Sequence, residues 1–396
     1  MQLRGLEVLV VGAGVAGLAT AAALAQRGAS VQVLEQAGGF REVGAGLQIS
    51  PNGARVIAAL GQGAGLSRAG MRSQAVVLHE GARAREVLRL ELPDGGAGFH
   101  LIHRADLIEV LRGALNGAEV QFNTAVGSVK LEEARPAVAL DGGERLSADL
   151  IIGADGLHSK LRPAVLGAAP AAPFFTGQVA WRALIPAEAG ATPEAQVFMG
   201  PGRHLVSYPL RGGRLRNIVA VEERSGWAQE GWNHPDDPAH LRAAFAGFGG
   251  PVPGWLAQVE RVWLWGLFRH EVAQHWHRGA AAILGDAAHP TLPFMAQGAN
   301  MALEDAYALA QVLDAADGLA AGLAQWQHLR RARVARVIAA ANRNARNYHL
   351  RPPLAQVAHL ALRLSGRLLP DAPLRKFRWI YDHDVTALSS RPREAG

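Results

Sequence analysis

Three glycines near the start of the chain have the spacing of a turn that binds nucleotide phosphates. The segment Gly12-Ala13-Gly14-Val15-Ala16-Gly17 follows the apolar run 7–11 and leads into a second apolar run. In a strand-turn-helix, such a turn places backbone N–H groups and the positive end of the helix dipole against a pyrophosphate, with no side chain between them. The segment therefore predicts a nucleotide site at Gly12, Gly14 and Gly17.

A carboxylate about twenty residues later strengthens this prediction. Glu35 ends the apolar run that begins at Ser30, where it can accept hydrogen bonds from the ribose hydroxyls of a dinucleotide. A carboxylate in this position also disfavours a 2′-phosphate. The expected nucleotide is therefore FAD or NAD rather than NADP.

Two more turns combine glycine with an acidic residue at the end of an apolar run. Asp155 follows the run 146–153, and Asp286 follows the run 280–285. A turn of this kind places a carboxylate and an open stretch of backbone at the end of a strand, near the cleft that the Gly12 turn would line. Asp155 and Asp286 are therefore candidate cofactor-binding residues.

The elements that would position these turns follow from the hydrophobic pattern. A strand at 7–11, a helix at 18–27 and a strand at 30–35 form a βαβ unit, and helices are expected at 298–313 and 323–350. Alternation of apolar and polar residues at 75–92 and 174–221 predicts an antiparallel sheet inserted into the first domain. Segments 235–238 and 251–254 are expected to be loops, and the arginines of the last helix to be solvated.

The three turns together resemble the single-component, FAD-dependent aromatic hydroxylases, the group that includes salicylate and 3-hydroxybenzoate hydroxylases. The resemblance covers roughly Leu6 to Leu313. It rests also on residues 41–52, which are similar to the family's segment beneath the flavin, and on residues 103–107, which are similar to its arginine-bearing helix start. The family's aspartate-glycine motif is matched at Asp155, Gly156, Ser159 and Arg162, and residues 282–306 are similar to its third fingerprint.

The resemblance implies a resident FAD. It implies that Arg104 contacts the cofactor, that Asp286 bonds the ribityl chain, and that the motif at Asp155 serves both FAD and the nicotinamide donor. A helix that begins near Gly298 would direct its positive end at the N1 and C2 carbonyl region of the flavin, where reduction leaves negative charge. The complete set of candidate cofactor residues is Gly12, Gly14, Gly17, Glu35, Arg41, Arg104, Asp155, Asp286, Gly298, Ala299 and Asn300.

The expected fold is therefore α/β, with a Rossmann-like FAD-binding domain, an inserted, mainly antiparallel β-sheet substrate domain and a helical C-terminus. The FAD-binding domain is assigned to residues 1–73, 101–168 and 277–315. The substrate domain is assigned to residues 74–100 and 169–276, and the C-terminal helical region to residues 316–396.

The activity that the resemblance implies is hydroxylation of a small aromatic compound, similar to a hydroxybenzoate or a hydroxynicotinate. NADH or NADPH would reduce the FAD, O2 would form a flavin C4a-hydroperoxide, and this species would deliver a hydroxyl group to an electron-rich ring. No second glycine-rich strand-turn-helix follows the first. The nicotinamide donor is therefore expected to bind transiently.

His204 and Tyr208 are the candidate catalytic pair. If residues 204–209 form a strand, His204 and Tyr208 project to the same face, and histidine suits a base that deprotonates a phenolic substrate. Family members that act on hydroxybenzoates and hydroxynicotinates carry a similar pair. Two further residues keep two alternatives each: Arg182 binds a substrate carboxylate or caps the sheet, and His289 is structural or catalytic.

The composition limits the remaining possibilities. The chain has 396 residues, 49% of them apolar, which allows a sizeable core, and a net charge of +6 that is spread out rather than clustered for nucleic acid. It has no cysteine, hence no disulfide framework, no thiolate zinc site and no cysteine nucleophile, and no metal site is expected. Glycines interrupt the long apolar run near the start, so no membrane span and a cytoplasmic location are expected. The arginine-lined C-terminal helix makes a homodimer possible.

Two alternatives stay open at this point. The same fold could oxidise a larger polyketide, isoprenoid or drug-like substrate. Phe294 and Met295 are more apolar than recognition of a polar substrate needs, so the identity of the aromatic acid stays open. The other alternative is an NAD-dependent dehydrogenase, which would leave the motifs at Asp155 and Asp286 unexplained. The substrate, the position hydroxylated and the preference between NADH and NADPH are not determined by the sequence.

Overall fold

The computed structural model describes residues 3–40, 46–131, 135–167, 172–226, 234–369 and 372–387. The strands, in chain order, are β1 (Glu7–Val11), β2 (Ser30–Leu34), β3 (Gly46–Ile49), β4 (Met71–Arg72), β5 (Ala75–Glu80), β6 (Arg85–Glu91), β7 (His100–His103), β8 (Glu119–Gln121), β9 (Val126–Lys130), β10 (Ala137–Leu140), β11 (Arg145–Ser147), β12 (Leu150–Gly153), β13 (Phe174–Pro186), β14 (Glu194–Gly200), β15 (Arg203–Leu210), β16 (Leu215–Glu223), β17 (His234–Asp236), β18 (Val262–Arg269), β19 (His277–Arg278) and β20 (Ala281–Ile283).

The α-helices, in chain order, are α1 (Val15–Ala25), α2 (Pro51–Ala59), α3 (Gly63–Ala69), α4 (Arg104–Arg112), α5 (Leu161–Leu166), α6 (Pro238–Ala244), α7 (Val252–Ala257), α8 (Gly298–Ala315), α9 (Leu319–Tyr348), α10 (Leu354–Leu368), α11 (Ala372–Arg375) and α12 (Arg378–Tyr381). None of the helices in the described ranges is both long and apolar enough to cross a bilayer.

A mainly parallel sheet brings the three glycine-acid turns to one edge. Its strand order is β19-β20-β12-β1-β2-β8, and β1 pairs in parallel with both β2 and β12, while β12 pairs in parallel with β20. The turns at Gly12, Asp155 and Asp286 therefore leave the carboxyl ends of three adjacent strands, which is where open α/β sheets bind their ligands. This arrangement confirms the expected Rossmann-like α/β fold.

An eight-stranded, largely antiparallel sheet forms the second layer, with the order β17-β18-β13-β16-β15-β14-β5-β6. One of its faces packs against α6 and α7 through a cluster that includes Trp181, Leu205, Phe245 and Trp255. The opposite face packs against the 3-10 turn Pro293–Met295, through a hydrophobic cluster that includes Phe294, Trp265 and Ala180. The inserted antiparallel sheet is thus confirmed, whereas the numerical domain boundaries stay predictions.

Several local expectations were wrong. Helix α6 begins at Pro238 and α7 at Val252, where loops were expected, because proline is well suited to the first turn of a helix and each helix carries proline there. Helix α1 begins at Val15, three residues before the expected start, with Gly14 in an extended conformation as its N-cap. The run 146–153 is divided into β11 and β12, which belong to different sheets.

The C-terminal helices close the molecule over both layers. Helix α9 packs along α8 and α10 packs on β6. Two arginines of α9 are not solvated, contrary to expectation: Arg330 is buried between Glu304 and Asp305, and Arg333 pairs with Glu304. The two acidic residues lie on α8, so the pairing was not visible within the sequence of α9 itself.

Candidate active site

The three glycines of the first turn have different physical roles. Gly12 has φ +101°, and a Cβ there would lie 2.5 Å from the carbonyl oxygen of Ala154. A Cβ on Gly17 would lie 1.8 Å from the carbonyl oxygen of Gly12. At Gly14, by contrast, a Cβ would have no other described atom within 4 Å. The outer glycines therefore close the turn, and the central one leaves open backbone at the start of α1, where a pyrophosphate fits.

Glu35 lies directly after β2 and is held beside this turn. Its Oε2 accepts a hydrogen bond of 2.8 Å from the backbone N–H of Ala13, and its Oε1 accepts one of 2.8 Å from the N–H of Ala37. Each carboxylate oxygen retains a further lone pair that can accept a bond from a ribose hydroxyl. The two backbone bonds orient the carboxylate before a nucleotide arrives.

We expect Glu35→Ala to raise the Kd for FAD by about 10- to 100-fold, because charge-assisted hydrogen bonds contribute about 1.5–3 kcal/mol. The measurement is a titration of the apoprotein with FAD, followed by quenching of flavin fluorescence. Glu119→Ala, at an exposed position on β8, is the matched control and should bind FAD as the wild type does. Equal affinities for the two variants would contradict the role given to Glu35.

Asp155 ends the second turn with one oxygen bonded and one without a partner. Its Oδ2 accepts a 2.7 Å bond from the N–H of Lys160, at the start of α5, whereas Oδ1 is buried and has no hydrogen-bond partner among the described residues. Burial raises the pKa of Asp155, although bonds from Ser159 and Lys160 oppose that shift. A buried acceptor without a partner is costly, so Oδ1 suits a ligand O–H or N–H.

Arg162 connects the second turn with the third. Its guanidinium is buried and donates to the carbonyl oxygens of Ala287 and Ala288, at 2.7 and 3.1 Å. Those carbonyls immediately follow Asp286. The arginine of the aspartate-glycine motif therefore fixes the relative position of the two turns.

Asp286 and Arg104 lie close enough to interact. Desolvation by the surrounding protein raises the pKa of Asp286, and the charges of His289 and Arg104 oppose this shift. Arg104 is exposed and is the first residue of α4. The structure thus brings together two candidate cofactor residues that are 182 positions apart in the chain.

The start of α8 supplies backbone donors. The N–H of Met301 bonds the carbonyl of Gln297, so the N–H groups of Gly298, Ala299 and Asn300 precede the first intrahelical bond. Three N–H groups at the positive end of an 18-residue helix form a site for negative charge. This is the arrangement expected beside the pyrimidine ring of a reduced flavin.

The side chain of Asn300 is fully engaged within the protein. Its Nδ2 donates to the carbonyl oxygens of Gln48 and Ala296, at 3.0 and 2.7 Å, and its Oδ1 accepts a 3.0 Å bond from the N–H of Ser50. Only the backbone N–H of Asn300 is therefore left for a cofactor. Arg41, another candidate, lies outside the described residues.

His289 lies in a buried ion network. Its Nε2 is 2.5 Å from Oδ2 of Asp305, its ring stacks on Trp276, and Oδ1 of the same Asp305 accepts a 2.8 Å bond from Arg330. The side chains of His289, Asp305 and Arg330 are no more than 2% exposed. These contacts favour the structural alternative for His289.

His204 and Tyr208 lie on the same face of β15, the face that packs against the 3-10 turn Pro293–Met295. Both are buried, and the ring of His204 contacts Phe294 with a centroid distance of 5.5 Å. Burial lowers the pKa of His204 well below its usual value, an effect that His349 reinforces. Burial raises the pKa of Tyr208, whose hydroxyl forms a hydrogen bond with the side chain of Gln48. At neutral pH, His204 is therefore a neutral imidazole and Tyr208 an intact phenol.

Arg182 projects from β13 on the same face of the sheet, and β16 lies between β13 and β15. Arg182 pairs with Val219 on β16, which in turn pairs with Val206 on β15, between the two candidate catalytic residues. Its guanidinium stacks on Trp265 at 4.0 Å. Burial lowers the pKa of Arg182 to about 10, and the neighbouring Arg104 contributes to the shift, so the group stays cationic at neutral pH.

Two residues that were not predicted complete the surroundings of His204. Its Nδ1 is 2.7 Å from Nε2 of His349, whose Nδ1 is 2.8 Å from Oε1 of Glu223. His349 follows the last residue of α9, and Glu223 ends β16. These residues lie 145 and 126 positions from their partners, and no local pattern in the sequence could have linked them.

Comparison with known proteins agrees with this geometry. The protein family described as FAD binding domain matches residues 5–341 of the chain. A 3-amino-4-hydroxybenzoate 2-monooxygenase from Streptomyces cremeus is 38% identical over 363 residues, which cover 88% of this chain and 89% of that enzyme. A 3-hydroxybenzoate 6-hydroxylase from Klebsiella oxytoca is 32% identical, with 90% and 92% of the two chains covered.

A solved structure has the same overall fold. The substrate complex of a salicylate hydroxylase superimposes with a TM-score of 0.81, at 26% sequence identity, and 97% of each chain is covered. The likeness therefore extends over both layers and the C-terminal helices.

Proposed function

Because the chain belongs to the family of FAD-dependent aromatic hydroxylases, we propose that it hydroxylates a small aromatic ring bearing both a hydroxyl group and a carboxylate. It is an FAD-dependent monooxygenase, and family membership excludes the alternative of an NAD-dependent dehydrogenase. A benzoate with a 4-hydroxyl and a 3-amino group is the first candidate substrate, since the Streptomyces cremeus relative is named for that compound.

The residues present fit FAD. The open backbone at Gly14 suits the pyrophosphate, and Glu35 suits the ribose that adjoins it. The unpartnered Oδ1 of Asp155 and the N–H groups at the start of α8 remain available for the rest of the cofactor. When bound, FAD supplies the redox chemistry, in which NADH or NADPH is the expected reductant and O2 the source of the inserted oxygen.

One observation carries the substrate proposal: Arg182, Tyr208 and His204 share one face of the antiparallel sheet. Two strand spacings separate Arg182 from Val206 on β15, about 10 Å between the backbones. Side chains that project from these positions can approach the two ends of a single substituted ring. A fixed cation at one end and a neutral imidazole at the other suit a phenolic carboxylate.

These residues would divide the work of binding and proton transfer. Arg182, stiffened by its contact with Trp265, would pair with the carboxylate of the substrate. His204 would accept the proton of the ring hydroxyl at Nε2, which raises the electron density of the ring. Tyr208, kept as a phenol, would donate a hydrogen bond to the oxygen so formed.

The test is a turnover screen of the purified holoenzyme against phenolic and pyridine carboxylates. We expect 3-amino-4-hydroxybenzoate, or a close analogue, to stimulate NAD(P)H oxidation and to yield hydroxylated product rather than hydrogen peroxide. Stimulation only by large polyketide or isoprenoid compounds would contradict the proposal and support the alternative substrate class.

Arg182→Met is expected to raise KM for the carboxylate substrate by about 10- to 100-fold, because a charge-assisted pair contributes about 1.5–3 kcal/mol. Methionine keeps the apolar contact with Trp265 but cannot bind an anion. Steady-state kinetics should be run with the acid and with the corresponding phenol that lacks the carboxylate. If the variant affects both compounds equally, Arg182 only supports the sheet.

Three further statements remain our proposals. The domain limits 1–73, 101–168 and 277–315 for FAD binding, 74–100 and 169–276 for substrate, and 316–396 for the helical region are retained. A homodimer and a cytoplasmic location are retained as predictions from the sequence. Size-exclusion chromatography with light scattering would test the dimer.

A further inference from the structure

His204 is too deeply buried to exchange a proton with solvent directly. It is 2% exposed, and its ring is enclosed by Phe294, Tyr348 and His349, at centroid distances of 4.9–5.5 Å. A proton taken from a bound phenol therefore needs a route out of the protein. The route must start at a nitrogen of His204 that does not face the substrate.

The hydrogen bonds beyond His204 lead towards the surface. Nδ1 of His204 lies 2.7 Å from Nε2 of His349, and Nδ1 of His349 lies 2.8 Å from Oε1 of Glu223. The side chain of His349 is 2% exposed and that of Glu223 is 44% exposed. Glu223 lines a surface cleft of about 390 Å³ together with Ser225 and Arg351. The row of three residues thus runs from the buried face of the sheet to solvent.

The carboxylate determines the proton positions along the row. Glu223 can only accept, so Nδ1 of His349 must carry a hydrogen and its Nε2 a lone pair while the ring is neutral. Nδ1 of His204 must then donate to that lone pair. The remaining nitrogen of His204, Nε2, is left as the free base.

We propose that His349 and Glu223 form a proton relay that holds His204 in its basic tautomer and carries the proton of the bound phenol to the cleft at Arg351. This proposal rests on the proposed function. His349 and Glu223 are positioning residues, since each acts on the substrate only through His204.

The transfer is balanced. The phenol O–H bond breaks as Nε2 of His204 gains the proton, Nδ1 of His204 releases its own proton to Nε2 of His349, and Nδ1 of His349 releases a third to Glu223 or to water in the cleft. No electrons are transferred. Return of a proton along the same row, when the product regains its hydroxyl proton, restores both tautomers.

The charged groups around the row are compatible with neutral rings. Burial lowers the pKa of His349, Glu223 opposes this shift, and Arg203 adds to it. Arg351 lies 4.0 Å from the carboxylate of Glu223 and is largely exposed. Tyr348, which faces His204 from the end of α9, has its pKa raised by burial to about 12 and so carries no charge at neutral pH.

The experiment uses oxidised holoenzyme without NAD(P)H, so that no turnover occurs. The ligand is the phenolic carboxylate that gives the strongest response in the turnover screen, at a pH where its ring hydroxyl is un-ionised in solution. Stopped-flow absorbance records formation of the bound phenolate, and a pH indicator records release of the proton. In the wild type we expect one proton to be released for each phenolate formed, and we expect the two events to have equal rates.

Glu223→Gln keeps a hydrogen-bond acceptor but lacks the charge, and His349→Asn keeps polar contacts but cannot relay a proton. Both should slow phenolate formation and proton release together by about tenfold or more. Glu222→Gln, the same change at the neighbouring residue, is the control and should match the wild type, because Glu222 pairs with Arg203 and Arg224 instead. Flavin content and Tm are measured for each variant.

Wild-type rates in Glu223→Gln would overturn the relay even if His349→Asn failed to fold. A wild type that hydroxylates the ligand but binds it without releasing a proton would overturn the relay and leave the proposed function intact. Failure of every phenolic carboxylate to bind or turn over would instead overturn the proposed function, and the relay with it.

Discussion

Replacing His204 with glutamine is expected to lower the rate of ring hydroxylation by about 10²- to 10⁴-fold, the usual contribution of a positioned general base. Glutamine retains the size and polarity of the position but cannot accept a proton at neutral pH. The relevant measurement is the yield of hydroxylated product per NAD(P)H consumed, together with kcat for product formation. Uncoupled oxidation, in which NAD(P)H is consumed and hydrogen peroxide appears, should become the main reaction.

The pH profile separates a base from a residue that only packs. Burial lowers the pKa of His204 well below the usual value of 6.5, so the imidazole stays unprotonated as the pH falls through 6.5. The rate of the wild type should therefore decline only at a lower pH, as His204 becomes protonated and loses its lone pair. His204→Gln should lack that acidic limb. An unchanged rate, coupling ratio and pH profile in the variant would remove the assignment of His204 as the base.

Tyr208→Phe is the informative partner for this variant. It keeps the ring, which packs so close to Gly46 that a Cβ there would lie 2.5 Å from it, and removes only the hydroxyl. Because the pKa of Tyr208 is raised, the phenol acts as a hydrogen-bond donor rather than as a base. In the proposed mechanism, His204 and Tyr208 therefore have separate roles.

The parts of the site that could be predicted from the sequence are those made by backbone. The turns at Gly12, Asp155 and Asp286 each follow an apolar strand, and parallel strands place such turns at one edge of a sheet. Local residue type is sufficient for this, since the glycine conformation and the strand period are both local properties. The placement of His204 and Tyr208 on one face followed from the same period of two.

The parts that could not be predicted depend on contacts between distant side chains. The bond between His204 and His349 joins β15 to the end of α9, and a histidine after a helix has no local property that indicates its partner. Arg182 likewise gained its position from two strand registers that the sequence does not specify. The side chain of Asn300 has a structural role for the same reason, because two of its three hydrogen-bond partners lie about 250 residues earlier.

The arginines of α9 illustrate how burial reverses an expectation. A helix rich in alanine and arginine is typical of a solvated face, and this was the prediction. Helix α8 presents Glu304 and Asp305 side by side, and Arg330 lies between them at 2.6 and 2.8 Å. The two helices are therefore joined by charges that are almost completely removed from water.

Asp305→Asn is expected to lower the free energy of unfolding by about 3–5 kcal/mol, because it leaves the buried guanidinium of Arg330 without one of its two carboxylates and replaces the charged partner of His289 with a neutral amide. Urea unfolding of the holoenzyme, followed by tryptophan fluorescence and circular dichroism, measures the change. Asp382→Asn, which breaks the exposed pair with Arg378, is the control and should cost less than about 1 kcal/mol.

The dependence on pH identifies the charge as the cause. Burial alone would raise the pKa of Asp305, but His289 and Arg330 lower it below its usual value. A carboxylate whose pKa is lower in the folded state stabilises that state above the unfolded pKa of about 3.9, and this contribution is lost as the pH falls through the folded value. The difference between wild type and Asp305→Asn should therefore be full at neutral pH and shrink in acid. A difference that is constant across this range would mean that packing rather than charge holds α8 against α9, and that the start of α8 is positioned beside the cofactor without help from the buried ions.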